Sequence, residues 1–187
     1  MPLITSKRER NLWLWALALT AAIYVTLGLA GKLAQFLRDR NMLDSIYVFG
    51  FFLAVIAIIG SGLKLRLKQR EIWVALGVVA VYGMVSVRLF LSPEERTHLF
   101  EYGIVATLVH QALLERLRNG RRIPSPALLA IAITALIGWF DEGIQFLLPN
   151  RIYDIRDVGF NALAGLMAVL ASVILSTARN WITKKKS

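Results

Sequence analysis

Residues 141–165, DEGIQFLLPNRIYDIRDVGFNALAG, place Asp141, Glu142, Gln145, Arg151, Asp154, Arg156, Asp157 and Asn161 inside an otherwise strongly apolar part of the chain. Glu142 and Asp157 have the chemistry of a general acid or base, and Arg151 offers a planar guanidinium fork to a phosphate or carboxylate. A second polar segment, SPEERTHLFEY at 92–102, precedes them. Its His98, Glu101 and Tyr102 are spaced i, i+3, i+4 and share one face of a helix. Glu142 and Gln145 are i, i+3, and Asp157 and Asn161 are i, i+4, with Gly165 further along the same face. Ala164 and Gly165 permit close helix approach. The candidate polar site is therefore His98, Glu101, Tyr102, Glu142, Gln145, Arg151, Asp157 and Asn161. Asp141 lies about 100° round the helix from Glu142 and is expected to face water or headgroups.

Each of these residues also has a purely structural use. Asp157 at a helix start complements the macrodipole or caps backbone N–H groups. Arg151 and Arg156 can snorkel to an interface, and Glu142 and Gln145 can bridge helices. The functional reading rests on cost. A lone ionised carboxylate at the centre of a membrane helix costs roughly 2.5–3.5 kcal/mol on insertion scales. Glu101, Glu142 and Asp157 therefore call for protonation, a partner or a ligand. His110 and Gln111, on the opposite half of their run, read as structural.

The elements that must position these groups are long apolar runs. The chain has 187 residues, is 57% hydrophobic and has a mean hydropathy of +0.58, above the usual soluble composition. It reads as a single membrane domain over 1–187. Apolar runs occupy 11–30, 45–63, 72–91, 97–114, 126–148 and 158–177, and about 20 helical residues cross a hydrocarbon core of roughly 30 Å. Trp13, Trp15 and Tyr24 lie near the ends of the first run. The link at 32–44 reads as a short interfacial helix, and GSGLKLRLKQR at 60–70 as a basic interfacial loop. Pro93 ends the third run, Pro124 and Pro126 suit the start of the fifth, and Pro149-Asn150 closes it. SKRER before a run near 20 residues in length reads as a retained first span rather than a cleaved leader. The expected fold class is all-α: a polytopic integral membrane protein with about six transmembrane helices.

The fourth run is the weakest, and charge decides its status. The net charge is +10. With six spans, 15 of the 22 lysines and arginines flank one side of the membrane and 7 the other. Without the fourth span the split falls to 13 against 9. The positive-inside rule thus favours six spans with both termini cytoplasmic, in a bacterial inner membrane. It also accounts for the basic charge without nucleic acid, which is not an expected partner. The chain has no cysteine, which excludes disulfides, thiolate metal sites and a cysteine nucleophile. With two histidines a metal site would be mostly carboxylate; no metal or cofactor is expected.

The ordered set of residues resembles the VanZ-like family of small bacterial membrane proteins, named for teicoplanin resistance. The family pattern is His-x-x-x-Tyr, then Asp-Glu-x-x-Gln, an Arg after a Pro turn, and Asp-Val-x-x-Asn/Asp leading to small residues. Here these are His98 with Tyr102, Asp141-Glu142 with Gln145, Arg151 after Pro149, and Asp157-Val158 with Asn161, and the similarity covers 96–168. Arg96 stands where a Lys commonly precedes the His, and Ala164 stands where Gly is frequent, with Gly165 one place later. The first two or three runs carry no motif of the family. The resemblance implies an association with glycopeptide resistance of unsettled biochemistry.

Three functions fit the pattern. The first is non-catalytic: an outward-facing pocket binds an amphiphile or envelope lipid, and so affects a lipophilic antibiotic or a lipid-linked envelope precursor at the outer leaflet. The second is an enzyme on a phosphate-containing lipid-linked substrate, with Glu142 or Asp157 as acid or base, Arg151 on the phosphate, and room for Mg²⁺. A transporter is the weakest, since the polar groups gather at one end of the helices.

Two predictions follow from the sequence. Cysteines at Ser6, Ser125 and Ser187 are expected to be shielded from a membrane-impermeant thiol reagent in intact cells, while one at Asn150 labels; the reverse pattern would discard the topology. Lysine keeps the charge of Arg151 but not its fork. Arg151→Lys should therefore accumulate normally yet lose ligand binding or resistance, and unchanged behaviour of both Arg151→Lys and Arg151→Gln would remove the anion-binding role.

Overall fold

The computed structural model describes residues 4, 6–42, 93–147 and 154–184, with isolated positions between 45 and 84. The second and third apolar runs, the 60–70 segment and Arg151 lie outside the described residues or almost wholly so. What is described is helical: α1, Lys7–Asp39; α2, Pro93–Arg118; α3, Pro126–Phe146; and α4, Ile155–Lys184, with no strand among the described residues. Three helices are long and apolar enough to cross a membrane, over Lys7–Leu27, Pro126–Phe146 and Ile155–Thr177.

The helix boundaries have local causes. Ser125, in extended backbone, accepts from the Leu128 amide at 3.4 Å, and Pro126 follows as the first helical residue of α3, where the missing N–H costs nothing. Asp154 caps α4, its Oδ1 accepting the Arg156 amide at 2.8 Å. Helix α1 does not stop where its apolar run does. Instead of a separate interfacial helix, 32–39 continues α1, since KLAQFLRD consists mostly of good helix formers and contains no proline. It ends at Asn41, which takes φ 53° while the Met42 amide reaches back to the Leu37 carbonyl at 2.9 Å, a left-handed C-terminal turn.

The chain divides into two compact units, one of Met1–Gly31 with Glu95–Val169 and one of Lys32–Glu94 with Leu170–Ser187. In the second, the Arg40 guanidinium sits 4.2 Å from the Phe36 ring centre. The first holds the core, with Ala16 and Ile23 of α1, Val105, Ala106, Val109 and Leu113 of α2, Ala130 of α3, and Ala168 and Val169 of α4.

Polarity in the first unit is inverted. Helix α3 buries Ala130, Thr134, Gly138, Asp141, Glu142 and Gln145 and exposes Leu128, Leu136, Trp139, Phe140 and Phe146. An aqueous exterior would reverse that arrangement; a hydrocarbon exterior requires it. Helix α2 is too polar to stand among the three apolar helices, yet Leu99, Tyr102, Val105, Ala106 and Ala112 are wholly buried. A helix enclosed by other helices can carry His98 and His110 without presenting them to lipid.

Helices α3 and α4 run antiparallel with small residues at the contact. A Cβ on Gly138 would come within 2.5 Å of the Asn161 Cβ, and one on Gly165 within 3.3 Å of Thr134. Gly138 pairs with Asn161, and Thr134, one turn earlier, pairs with Gly165, one turn later. Gly138→Ala should therefore cost about 1–3 kcal/mol by overpacking, because Asn161 Cβ is tied to its backbone and cannot swing away. Gly143 has open space around the same position, so Gly143→Ala should be neutral or stabilising by up to ~1 kcal/mol. Thermal unfolding of the two variants in detergent checks the contrast, and equal behaviour would refute the packing.

Candidate functional site

Asp141 is the centre of the polar cluster. Its stripe on α3 is set by Gly138, Asp141, Glu142 and Gln145, spaced i, i+3, i+4, i+7, so both carboxylates of the Asp-Glu pair turn inward. This corrects the expectation that Asp141 faces water or headgroups: Asp141 is completely buried, as is Glu142. A core-facing stripe is at least 100° wide, so a residue 100° from Glu142 on the Gly138 side remains inside it.

The side chains around Asp141 come from three helices. His98 Nδ1 of α2 lies 3.6 Å from Asp141 Oδ2. The Gln145 amide donates to the same Oδ2 at 3.4 Å and to Glu142 Oε1 at 3.0 Å, so one amide group bridges two adjacent carboxylates. Tyr102, one turn after His98, stacks parallel to it with ring centres 5.8 Å apart, and lies within electrostatic reach of the Asp141 carboxylate. Glu101, half-buried, lies within electrostatic reach of both His98 and Asp141. Tyr24 of α1 lies within electrostatic reach of Asp141 as well.

Two further bonds fix the backbone that carries the carboxylates. Tyr24 donates its hydroxyl to the Ile137 carbonyl at 2.7 Å, and Asn161 of α4 points its amide at the Gly138 carbonyl at 3.5 Å. These consecutive carbonyls lie one turn before Asp141 and Glu142. The other oxygen of Glu142, Oε2, faces the Asp154 amide at 3.5 Å, where α4 starts and its dipole favours negative charge.

Of the residues expected from sequence, the structure brings together His98, Glu101, Tyr102, Glu142 and Gln145, with Asn161 one turn deeper. Asn161 is fully buried, and its Oδ1 has no hydrogen-bond partner among the described residues. Asp157 occupies the first turn of α4, half-buried; Arg151 lies outside the described residues. Sequence reasoning left out Asp141 and Tyr24. For Asp141 a signal existed, since small residues at 130, 134 and 138 continue into 141, 142 and 145 at helical spacing. For Tyr24 there was none, because nothing in the sequence tells which inter-helix contact an aromatic makes.

The opposite end of the same unit is basic. Glu9, completely buried in the first turn of α1, faces Arg116 of α2 at 3.9 Å. Ser6 donates to Glu115 at 3.4 Å, and Arg8 and Arg118 lie 3.9 and 3.6 Å from that carboxylate. The start of α1 and the end of α2 thus share one end of the bundle, and the Asp141 cluster occupies the other.

The fold and site define a helical protein with membrane-type polarity and an enclosed carboxylate–histidine cluster. No family model, curated protein or solved structure matches the chain. Among the described residues no group of three or more His, Cys, Asp or Glu side chains is arranged to hold a metal ion.

The His98–Asp141 contact can be tested for coupling. Removing one partner from a buried pair leaves an uncompensated group at a cost of about 3–5 kcal/mol, whereas removing both costs less than the sum. His98→Ala and Asp141→Asn are each expected to lower the unfolding temperature in detergent, with the double variant close to the worse single one. Strict additivity would show that the two side chains do not interact.

Proposed function

We propose that the chain is a VanZ-like protein of a bacterial inner membrane, with six spans and both termini cytoplasmic, that binds the headgroup of an envelope amphiphile at the outer face of its bundle without turning it over. Support for the topology comes from the inverted polarity and from the contacts of Ser6 and Arg8 with Glu115, which put the N-terminal end of α1 beside the basic link after α2. Such an arrangement agrees with a basic cytoplasmic end. Support for the family is the ordered set of His98, Tyr102, Asp141, Glu142, Gln145 and Asn161, which draw together in the fold although they are dispersed over 64 positions of sequence.

The observation that carries the binding reading is the donor–acceptor balance of the cluster. Asp141, Glu142 and Glu101 supply carboxylate oxygens, and Asn161 adds a buried carbonyl oxygen with no hydrogen-bond partner among the described residues. His98 is the imidazole that faces Asp141, at 3.6 Å. Among the described residues carboxylate and amide oxygens predominate in the cluster, which suits a headgroup carrying hydroxyl or ammonium donors better than a phosphate. Acting on such amphiphiles at the outer leaflet is a route by which the protein would alter the behaviour of a lipophilic antibiotic or an envelope precursor.

The enzyme reading keeps one observation in its favour. Asp141 Oδ2 stands 3.6 Å from His98 Nδ1, near the placement of a carboxylate that orients a general base, although the phosphate contact in that reading depends on Arg151. A headgroup series on a common acyl tail separates the two. With purified protein, a sugar- or amine-headed amphiphile is expected to raise the unfolding temperature more than its phosphate-headed counterpart. Glu142→Gln should weaken that binding by about tenfold, the worth of a hydrogen bond to a charged group. Tighter binding of the phosphate-headed compound, or its turnover with loss in His98→Gln, would replace the proposal with the enzyme.

A further inference from the structure

The basic end of the first unit contains a second feature that the polar cluster does not use. Helix α2 ends in a left-handed turn at Gly120, φ 80°, with the Gly120 amide bonded to the Leu117 carbonyl at 3.1 Å and the Arg121 amide to the Arg116 carbonyl at 3.2 Å. Only glycine takes that backbone readily. The turn folds the following residues back over the helix end, so that Arg121, Arg122 and Ile123 stand against Leu113 and Arg116. With Leu129 of α3 they enclose a groove of about 360 Å³.

The groove combines cations with a larger share of hydrocarbon. Its lining joins Arg116, Arg121 and Arg122 with Leu113, Ile123, Pro124 and Leu129. The nearby acids are Glu9, which faces Arg116 at 3.9 Å, and Glu115, which lies near Arg8 and Arg118. Two carboxylates therefore stand against seven basic residues at this end: Lys7, Arg8, Arg10, Arg116, Arg118, Arg121 and Arg122. Arg122 is exposed, and Leu128 and Leu129 lie exposed where α3 leaves the groove. An occupant must carry a phosphate-type anion at the arginines and an acyl chain that continues along α3. A soluble anion satisfies only the first requirement, and a neutral lipid only the second.

We propose that this groove is a binding site for one anionic phospholipid, its phosphate held by Arg121 and Arg122 and its acyl chain lying over Ile123 and Leu129. Guanidinium groups fork onto phosphate oxygens in pairs, and the Gly120 turn presents two of them consecutively. The site is independent of the acceptor-rich cluster at the other end and selects the opposite headgroup charge. It requires only that the helices lie in a bilayer.

Native mass spectrometry of the full chain tests this, after exchange from mixed micelles of phosphatidylglycerol and phosphatidylcholine. The wild-type protein should retain one phosphatidylglycerol in preference to phosphatidylcholine. Arg122→Gln should weaken retention about fivefold, and Arg121→Gln with Arg122→Gln more than tenfold, on the scale of a basic residue at an anionic surface. Arg10→Gln, at the same end but outside the groove, should change it by less than about twofold. Unfolding temperatures in phosphatidylcholine alone control for folding, and Arg122→Gln carries the test if the double variant is unstable. Equal retention of the two lipids would overturn the proposal. So would a loss in Arg10→Gln matching the groove variants, or displacement of the lipid by millimolar inorganic phosphate.

Discussion

The buried carboxylate of Asp141 is the constraint on which the rest of the first unit depends. A charge withdrawn from water costs several kcal/mol even after relaxation, and the surrounding exterior is apolar. His98 and Gln145 meet one of its oxygens, Tyr102 lies within electrostatic reach of the group, and Glu142 is joined to it through the Gln145 amide. Those partners come from α2 and α3, so the two helices must pack with the 98–102 face of one against the 138–145 face of the other. Any rotation of either helix would carry a carboxylate or an imidazole into hydrocarbon.

Helix α3 shows how the depth of the cluster is fixed. From Pro126 to Asp141 the rise is about 22 Å, so with the first turn at one interface the carboxylates still lie within a hydrocarbon core of roughly 30 Å. Water cannot serve as their solvent at that depth. The backbone before them is held at two consecutive carbonyls, by Tyr24 and by Asn161. The second contact exists because residue 138 lacks a side chain. A glycine placed for packing thus permits a polar contact, and the packing and the chemistry share one residue.

Much of this arrangement is legible in the sequence. The prolines at 93 and 126 mark the starts of α2 and α3, the i, i+3, i+4 spacing places His98 and Tyr102 on one inward face, and Glu142 with Gln145 on another. What the sequence hides is polarity relative to a neighbour. Helix α2 is not among the three helices apolar enough to cross a membrane, yet its Phe100 and Ile104 face out while His98, Tyr102 and His110 face in. Asp141 was unreadable from Glu142 alone and becomes readable only when the small residues before it are taken as part of the same stripe. The extension of α1 to Asp39 was masked by the end of its apolar run, since a helix needs only its backbone bonds to continue past a change of solvent.

The bundle separates its charges by end, and this separation follows from one rule applied twice. Acidic groups at the Asp141 end meet an imidazole, an amide and the start of α4. At the other end Glu9 and Glu115 are the internal charges and the arginines surround them, which leaves donors in excess. In each case the group that would be costly in hydrocarbon is buried against its partners; at the Asp141 end those partners are buried as well. The two ends of the first unit thus differ in chemistry, with carboxylates gathered at one and arginines at the other. The same helices carry the buried charges of both ends, so neither end can be altered without a change in what holds the bundle together.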